Sequence, residues 1–344
     1  MKRLTLITAT LLLFFVLNSC KKTGDALSKH PKDYSEILAK LRNIKNDQKG
    51  NKPNSKIYAR TTALDYSNPD NPYDWVGIKH NDCLDYVSSY MSDITNNSSG
   101  LSLTIRQPLN NSTTTATFYG RTDKTIALTQ KYWNENVMDS YVAPYVKESS
   151  FSNDDENTIT KDNIDYFKQH NFVDPRLSGL NAFNNDFYSK LQYFVDAGKL
   201  TSFEANADSI VVYQAMETDS LEQSIAIIIE AEKIIQEASL EDAVKTRQLV
   251  FLSIFRNSIG YWANVIEDES NLWWTTNRDF FTRVGSHEGY ARWSWHKFWG
   301  VLLTGLADAV GGVVGALIEP PVLGAAVGGV VGAALSAVVD NVYP

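Results

Sequence analysis

The residues of this sequence that could do chemistry are concentrated in one short stretch, NPYDWVGIKHNDCLDYV, which contains His80, Asn81 and Asp85. At helical spacing, His80 shares one face with the apolar residues Val76 and Cys83. A histidine among apolar neighbours favours a buried, structural role. The alternatives are an anchor for a ligand and the general base of an envelope hydrolase.

Other catalytic patterns are missing from the sequence. His287 begins HEGYA, but Ala291 stands where the second histidine of a zinc-binding HExxH helix would be. There is no GxSxG nucleophile elbow, and Cys83 falls on the apolar face rather than beside a base. The sequence therefore predicts no catalytic residue, no metal site and no cofactor.

The first twenty residues have the form of an export signal. Lys2 and Arg3 precede the apolar run LTLITATLLLFFVL, which is shorter than a membrane-spanning helix. The next residues, LNSC, resemble the bacterial lipobox, which implies that Cys20 becomes the lipid-modified (palmitate-bearing) first residue of the mature protein. Because Cys83 is the only other cysteine, lipidation of Cys20 excludes an intrachain disulfide. We expect an outer-membrane lipoprotein of the bacterial cell envelope, facing either side.

Charge and composition limit the partners of the protein. The formal net charge is -8, so the chain lacks the clustered lysine and arginine that nucleic-acid binding requires. Hydrophobic residues make up 43% of the chain, which is enough for a large core. We expect a membrane partner, reached through the lipid anchor, and no nucleic acid.

Two largely apolar stretches near the C terminus, 301–318 and 322–339, are separated by Glu-Pro-Pro. Proline ends the first stretch and suits the first turn of the second, so the pattern predicts a helical hairpin. Small residues recur at every fourth position, which predicts a glycine zipper with closely packed helices. The glycines of this pattern are Gly311, Gly315, Gly324, Gly328 and Gly332.

The hairpin has three interpretations. Each arm would be about 27 Å long, slightly short of a hydrocarbon core of about 30 Å. Asp308 in the first arm would cost about 2.5–3.5 kcal/mol at the bilayer centre. The sequence therefore leaves open whether the hairpin inserts into a membrane, binds a partner helix, or is buried in the core.

Five of the eight tryptophans fall just before this hairpin, interleaved with arginine and lysine. Aromatic and basic residues beside an apolar segment are typical of a membrane interface. The alternatives are packing on the core and a binding site in which segment 273–299 stacks on a sugar or peptide. The five are Trp273, Trp274, Trp293, Trp295 and Trp299.

Helical periodicity predicts a mainly α fold, a helical bundle with Asn/Ser-rich loops and a C-terminal Gly-rich helical hairpin. A first helix places Tyr34, Ile37, Leu38, Leu41 and Ile44 on one stripe. A second helix opens at Asn71 with Pro72 in its first turn, and LNNSTTTATF is interpreted as a polar loop. From about Lys124 the pattern is helical almost to the end.

These patterns divide the chain into four segments. The signal peptide covers 1–19, and the lipid anchor with a short helix and a linker covers 20–70. A helical domain follows at 71–300, and the glycine-zipper hairpin covers 301–344.

The order Gly77, His80, Asn81, Leu84, Asp85 is similar to a VGxxHNxxLD signature of uncharacterised Bacteroidota-type lipoproteins. The string GYARWSWHKFWGVLLTGLADAVGGVVG also resembles the approach to their C-terminal Gly-rich hairpin. The resemblance implies a lipid-anchored envelope protein and brings no established activity. We therefore predict a non-catalytic role in membrane interaction or assembly. The alternatives are a ligand-binding module that uses segment 273–299 and an envelope hydrolase that uses His80.

Overall fold

The structure is a computed structural model that describes residues 31–48, 66–97, 101–106, 113–119, 123–137, 180–196, 198, 200–218 and 220–279. Most of these residues are helical, which confirms the mainly α fold. In chain order the elements are α1 (Pro31–Gln48), α2 (Asp74–Ser88), α3 (Met91–Asn97), β1 (Leu101–Arg106), β2 (Thr113–Phe118), α4 (Asp123–Asn136), α5 (Leu180–Asp196), α6 (Ser202–Met216), α7 (Leu221–Glu237), α8 (Asp242–Glu267) and α9 (Leu272–Thr276).

Helix α8 lies at the centre of the bundle. Every residue from 248 to 263 is buried, so this part of the helix has no face toward solvent. Helices α2 and α7 pack against it, α6 packs against α7, and α5 packs against α6. Because a helix buried on all sides cannot expose its polar residues to water, those residues need partners inside the protein.

Helix α1 belongs to the bundle, because it packs against α6 and α7. The predicted stripe is confirmed: Ile37, Leu41 and Ile44 are buried, and the ring of Tyr34 stacks on Phe203 with centroids 4.5 Å apart. The short helix that the sequence grouped with the linker therefore forms part of the core.

A side-chain amide from α6 joins the backbone of α1. The backbone N–H of Lys45 donates to Gln214 Oε1 at 3.1 Å, and Gln214 Nε2 donates to the carbonyl of Leu41. These two backbone groups are four residues apart and pair with each other in a regular helix. The amide of Gln214 thus bridges them and ties α1 to α6 through the main chain of α1.

The second helix begins later than the sequence suggested. Asn71 does not open it: the helix starts at Asp74, and Asn71 forms a turn before it, accepting from the N–H groups of Tyr73 and Asp74. The side-chain amide of Asn71 instead donates into the core, to Glu232 Oε1 at 2.8 Å and to the carbonyl of Leu249 at 3.0 Å. These contacts hold Asn71 in the turn that precedes the helix.

A two-stranded antiparallel hairpin lies where the sequence suggested a loop. Leu101 pairs with Phe118 and Arg106 with Thr113, so the interpretation of LNNSTTTATF as a loop is wrong from Thr113 to Phe118. Threonine is β-branched and favours extended backbone, and the opposite strand alternates apolar and polar residues from Leu101 to Ile105. The N–H of Tyr119, the residue after β2, donates to Asn277 Oδ1 at 2.8 Å, which fixes the end of the β-hairpin beside α9.

Candidate functional site

The motif that the sequence singled out lies along the interface between α2 and α8. Gly77 lies where the two helices approach each other closely. A Cβ atom on Gly77 would lie 2.4 Å from Asn257 Nδ2 and 2.6 Å from the carbonyl oxygen of Ser253, closer than real Cβ contacts allow. Glycine is therefore required here by the helix–helix distance.

His80 and Asn81 are both part of this interface. Asn81 Nδ2 donates to the carbonyl of Asn257 at 3.0 Å, which fixes the orientation of the side-chain amide. Asn81 Oδ1 then accepts from His80 Nδ1, also at 3.0 Å, so this ring nitrogen carries a proton. His80 is 1% exposed, which favours packing over the hydrolase interpretation, because a base must reach its substrate.

Asp85 and Leu84 extend the interface by one further turn. Asp85 Oδ1 accepts from the hydroxyl of Tyr261 at 2.8 Å. Partial burial raises the pKa of Asp85, and this hydrogen bond lowers it in part. The carbonyl of Leu84 accepts from Trp273 Nε1 at 3.2 Å. Gly77, His80, Asn81 and Asp85, here called the docking motif, thus hold α2 on α8.

A buried charge cluster that the sequence patterns do not predict lies at the same interface. Arg256 on α8 is 0% exposed, and its guanidinium contacts Glu232 on α7 at 3.1 Å and Asp74 at the start of α2. Glu232 also accepts from Asn68 Nδ2 at 2.6 Å and from Asn71 Nδ2 at 2.8 Å. Burial raises the pKa of Glu232, while Arg256 and the two asparagines oppose that rise.

The Arg256 cluster joins the start of α2 to α7 and α8, which come much later in the chain. Its carboxylates and guanidinium satisfy one another's hydrogen bonds, which a buried charge requires. The sequence carries one signal for it, a single arginine within the otherwise uncharged run LVFLSIFRNSIGYW. Because Arg256 and Glu232 are both 0% exposed, the cluster acts on packing and does not offer a surface to a ligand.

A second buried acidic pair lies between α6 and α8. Glu204 accepts from Arg247 Nε at 2.7 Å and, through its other oxygen, from the backbone N–H of Thr201 at 2.8 Å, which completes a capping box at the start of α6. Asp208, one turn later, is 0% exposed, and neither of its oxygens has a hydrogen-bond partner in the described part of the chain. Burial first, and the carboxylate of Glu204 second, raise the pKa of Asp208 well above its usual value.

Two of the five tryptophans lie within the described residues, and both are buried. Trp273 is 1% exposed, donates to the carbonyl of Leu84 as stated above, and packs against Trp262 with ring centroids 5.6 Å apart. Trp274 is 7% exposed. These positions favour packing on the core for Trp273 and Trp274 over stacking on a ligand. Cys83 is also buried, and burial raises the pKa of its thiol.

The remaining predicted site residues lie outside the described residues. They are Cys20, Trp293, Trp295, Trp299, Gly311, Gly315, Gly324, Gly328 and Gly332. Among the residues that the structure does describe, no helix is both long and apolar enough to cross a membrane. The same ranges contain no group of three or more His, Cys, Asp or Glu residues placed to hold a metal ion.

The geometry of the described site is that of a helix-docking interface. Its polar residues are used in contacts between helices; His80 is buried, and Asp85 is exposed at the edge of the interface. Comparisons of the chain with models of known protein families, with curated proteins and with solved structures gave no match.

Proposed function

We propose that this chain is a lipid-anchored protein of the bacterial cell envelope with a non-catalytic role. In this proposal, Cys20 carries the lipid and the helical bundle is a rigid scaffold. The glycine-zipper hairpin at 301–344 engages a membrane or a partner helix. The export signal and the lipobox-like LNSC support the lipid anchor. The four-residue spacing of small residues supports the glycine-zipper hairpin.

One observation carries the non-catalytic part of the proposal, namely that the residues of the docking motif are used in contacts between helices. Gly77 allows close approach, Asn81 binds the carbonyl of Asn257, and Asp85 accepts from Tyr261. A catalytic motif presents a group with a matched pKa to a cleft that substrate can enter. The docking motif instead joins two helices, as expected for a scaffold.

The anchor and the hairpin are tested separately. For the anchor, labelled palmitate is fed to cells that express the chain or its Cys20→Ser variant. We expect label and membrane association in the first and loss of both in the second. Equal labelling of the two proteins would exclude Cys20 as the lipidation site.

For the hairpin, flotation with liposomes is measured on the Cys20→Ser chain and on the same chain ending at Gly300. This end point keeps every described element, because the last described residue is Asp279. We expect the longer chain to float and the shorter chain, folded by circular dichroism, to stay at the bottom. If neither chain floats, the hairpin does not bind a membrane, and binding to a partner helix remains as the proposal for the hairpin. Flotation of both chains would assign membrane binding to the bundle.

A further inference from the structure

An open groove of about 400 Å³ lies where α1, α5 and α6 meet. Its volume is within the range of about 300–1,000 Å³ that is typical of small-molecule sites. Arg42 and Lys45 line it from α1, Asn184 from α5, and Ile210 and Tyr213 from α6. The groove lies outside the docking motif and outside the Arg256 cluster.

The charges along the groove do not balance. Lys45 Nζ lies 3.0 Å from Glu217 Oε2 and donates to the carbonyl of Glu217 at 2.8 Å, so these two residues neutralise each other. Arg42 is exposed, and it forms no ion pair or hydrogen bond with the residues that the structure describes. The groove therefore contains one cation that is not compensated within the described bundle.

Neutral donors and apolar surface adjoin this cation. Asn184 Oδ1 accepts from the hydroxyl of Ser209 at 2.9 Å, which leaves the amide nitrogen of Asn184 to donate elsewhere. The hydroxyl of Tyr213 has no hydrogen-bond partner among the described residues. The ring of Tyr213 and the side chain of Ile210 supply apolar surface in the same groove.

We propose that this groove binds a small monocarboxylate that carries an apolar group. The guanidinium of Arg42 matches a carboxylate with two parallel hydrogen bonds, and the apolar part of the ligand lies against Ile210 and Tyr213. A dianion such as a phosphate monoester fits less well, because the Lys45–Glu217 pair is neutral and Arg42 alone balances only one of the two negative charges. The inference does not depend on the anchor or the hairpin.

The test is a ligand-observed NMR titration of the full chain in a non-ionic detergent, with benzoate, benzamide and phenyl phosphate as probes. We expect saturable binding of benzoate, and binding weaker by about tenfold or more for benzamide, which lacks the charge. Phenyl phosphate is expected to bind more weakly than benzoate.

Two variants localise the binding. Arg42→Gln removes the unopposed cation, and we expect it to weaken benzoate binding by about tenfold or more. Lys40→Gln is the matched control, since Lys40 is on the same helix but pairs with Glu36 at 3.0 Å and does not line the groove. It should bind benzoate as the unchanged chain does. The proposal is overturned if benzoate does not saturate, if Arg42→Gln binds it as tightly as Lys40→Gln, or if benzamide or phenyl phosphate binds at least as tightly.

Discussion

Replacing Asp208 with asparagine should change how the stability of the protein depends on pH. Asp208 is fully buried on α6, one turn after Glu204, which is also fully buried. Arg247 on α8 lowers the pKa of Asp208 in part, but its guanidinium bonds to Glu204. Gln248 on α8 also lowers it, although neither oxygen of Asp208 has hydrogen-bond geometry with that residue. The net effect of burial and Glu204 is a strongly raised pKa in the folded state.

The sign of the effect follows from proton linkage. In the unfolded chain an aspartate has a pKa of about 3.9, so between that pH and the raised folded-state pKa the folded protein holds one more proton. The stability of the unchanged protein therefore falls as pH rises through this interval, by about 1.4 kcal/mol per pH unit from this one group. Asparagine cannot ionise, so the stability of Asp208→Asn does not fall in this way. Relative to the unchanged protein, its free energy of unfolding should rise by the same amount per pH unit.

Urea unfolding, followed by tryptophan fluorescence at several values from about pH 4.5 to about pH 7.5, measures the free energy of unfolding of both proteins. Titrating groups that do not interact with Asp208 cancel in the difference between the two proteins, and we expect this difference to grow with pH in favour of Asp208→Asn. Asp70→Asn, which removes a carboxylate from an exposed turn, is the matched control, and the change with pH should be larger for Asp208→Asn. A difference for Asp208→Asn that stays constant across the range would refute the assignment of a raised pKa to this carboxyl.

Three further substitutions or treatments test the packing argument. Gly77→Ala should lower the free energy of unfolding in urea by about 1–3 kcal/mol, because the added Cβ clashes with α8. Gly198→Asn is the control: Gly198 lies in an open turn with φ 68°, and the substitution should lower the free energy of unfolding by less than about 1 kcal/mol. Arg256→Met leaves two buried carboxylates without their cation, and thermal unfolding should show a loss of about 3–5 kcal/mol; a neutral result would contradict the role of the cluster. In the Cys20→Ser chain at mildly alkaline pH, a thiol reagent should modify Cys83 only after denaturant is added, because burial raises the pKa of that thiol and shields it.

The features that the sequence predicted well are local ones. The stripe on α1 was predictable because residues three and four apart share a helix face, and Leu41 and Ile44 are buried as that spacing requires. The β-hairpin is not predicted by the local pattern, because a run of polar threonines is also typical of a loop. Their β-branched side chains favour a strand once Leu101–Arg106 lies beside them.

The role of the docking motif could not be derived from spacing alone. His80, Asn81 and Asp85 were recognised as unusual, but their partners lie on α8 and α2 at separations that leave no periodic pattern. The Arg256 cluster is even harder to predict from the sequence, because its asparagines look like ordinary turn residues. Only the isolated arginine in an apolar run indicates a buried charge. The groove at Arg42 depends on how three helices meet, which no single segment encodes.

The contacts that hold α1 and α2 also constrain the order in which the protein can fold. Leu41 and Gln214 are 173 positions apart, and Asn81 and Asn257 are 176 apart. Contacts between such distant residues require closure of a long loop, which slows folding. During synthesis, the contacts of α1 with α6 and of α2 with α8 therefore cannot form until α6 and α8 have been made. Chains that stop before α8 should expose the apolar face of α2 that packs against α8, and should aggregate. The helices that are synthesised first therefore form their last contacts only at the end of folding.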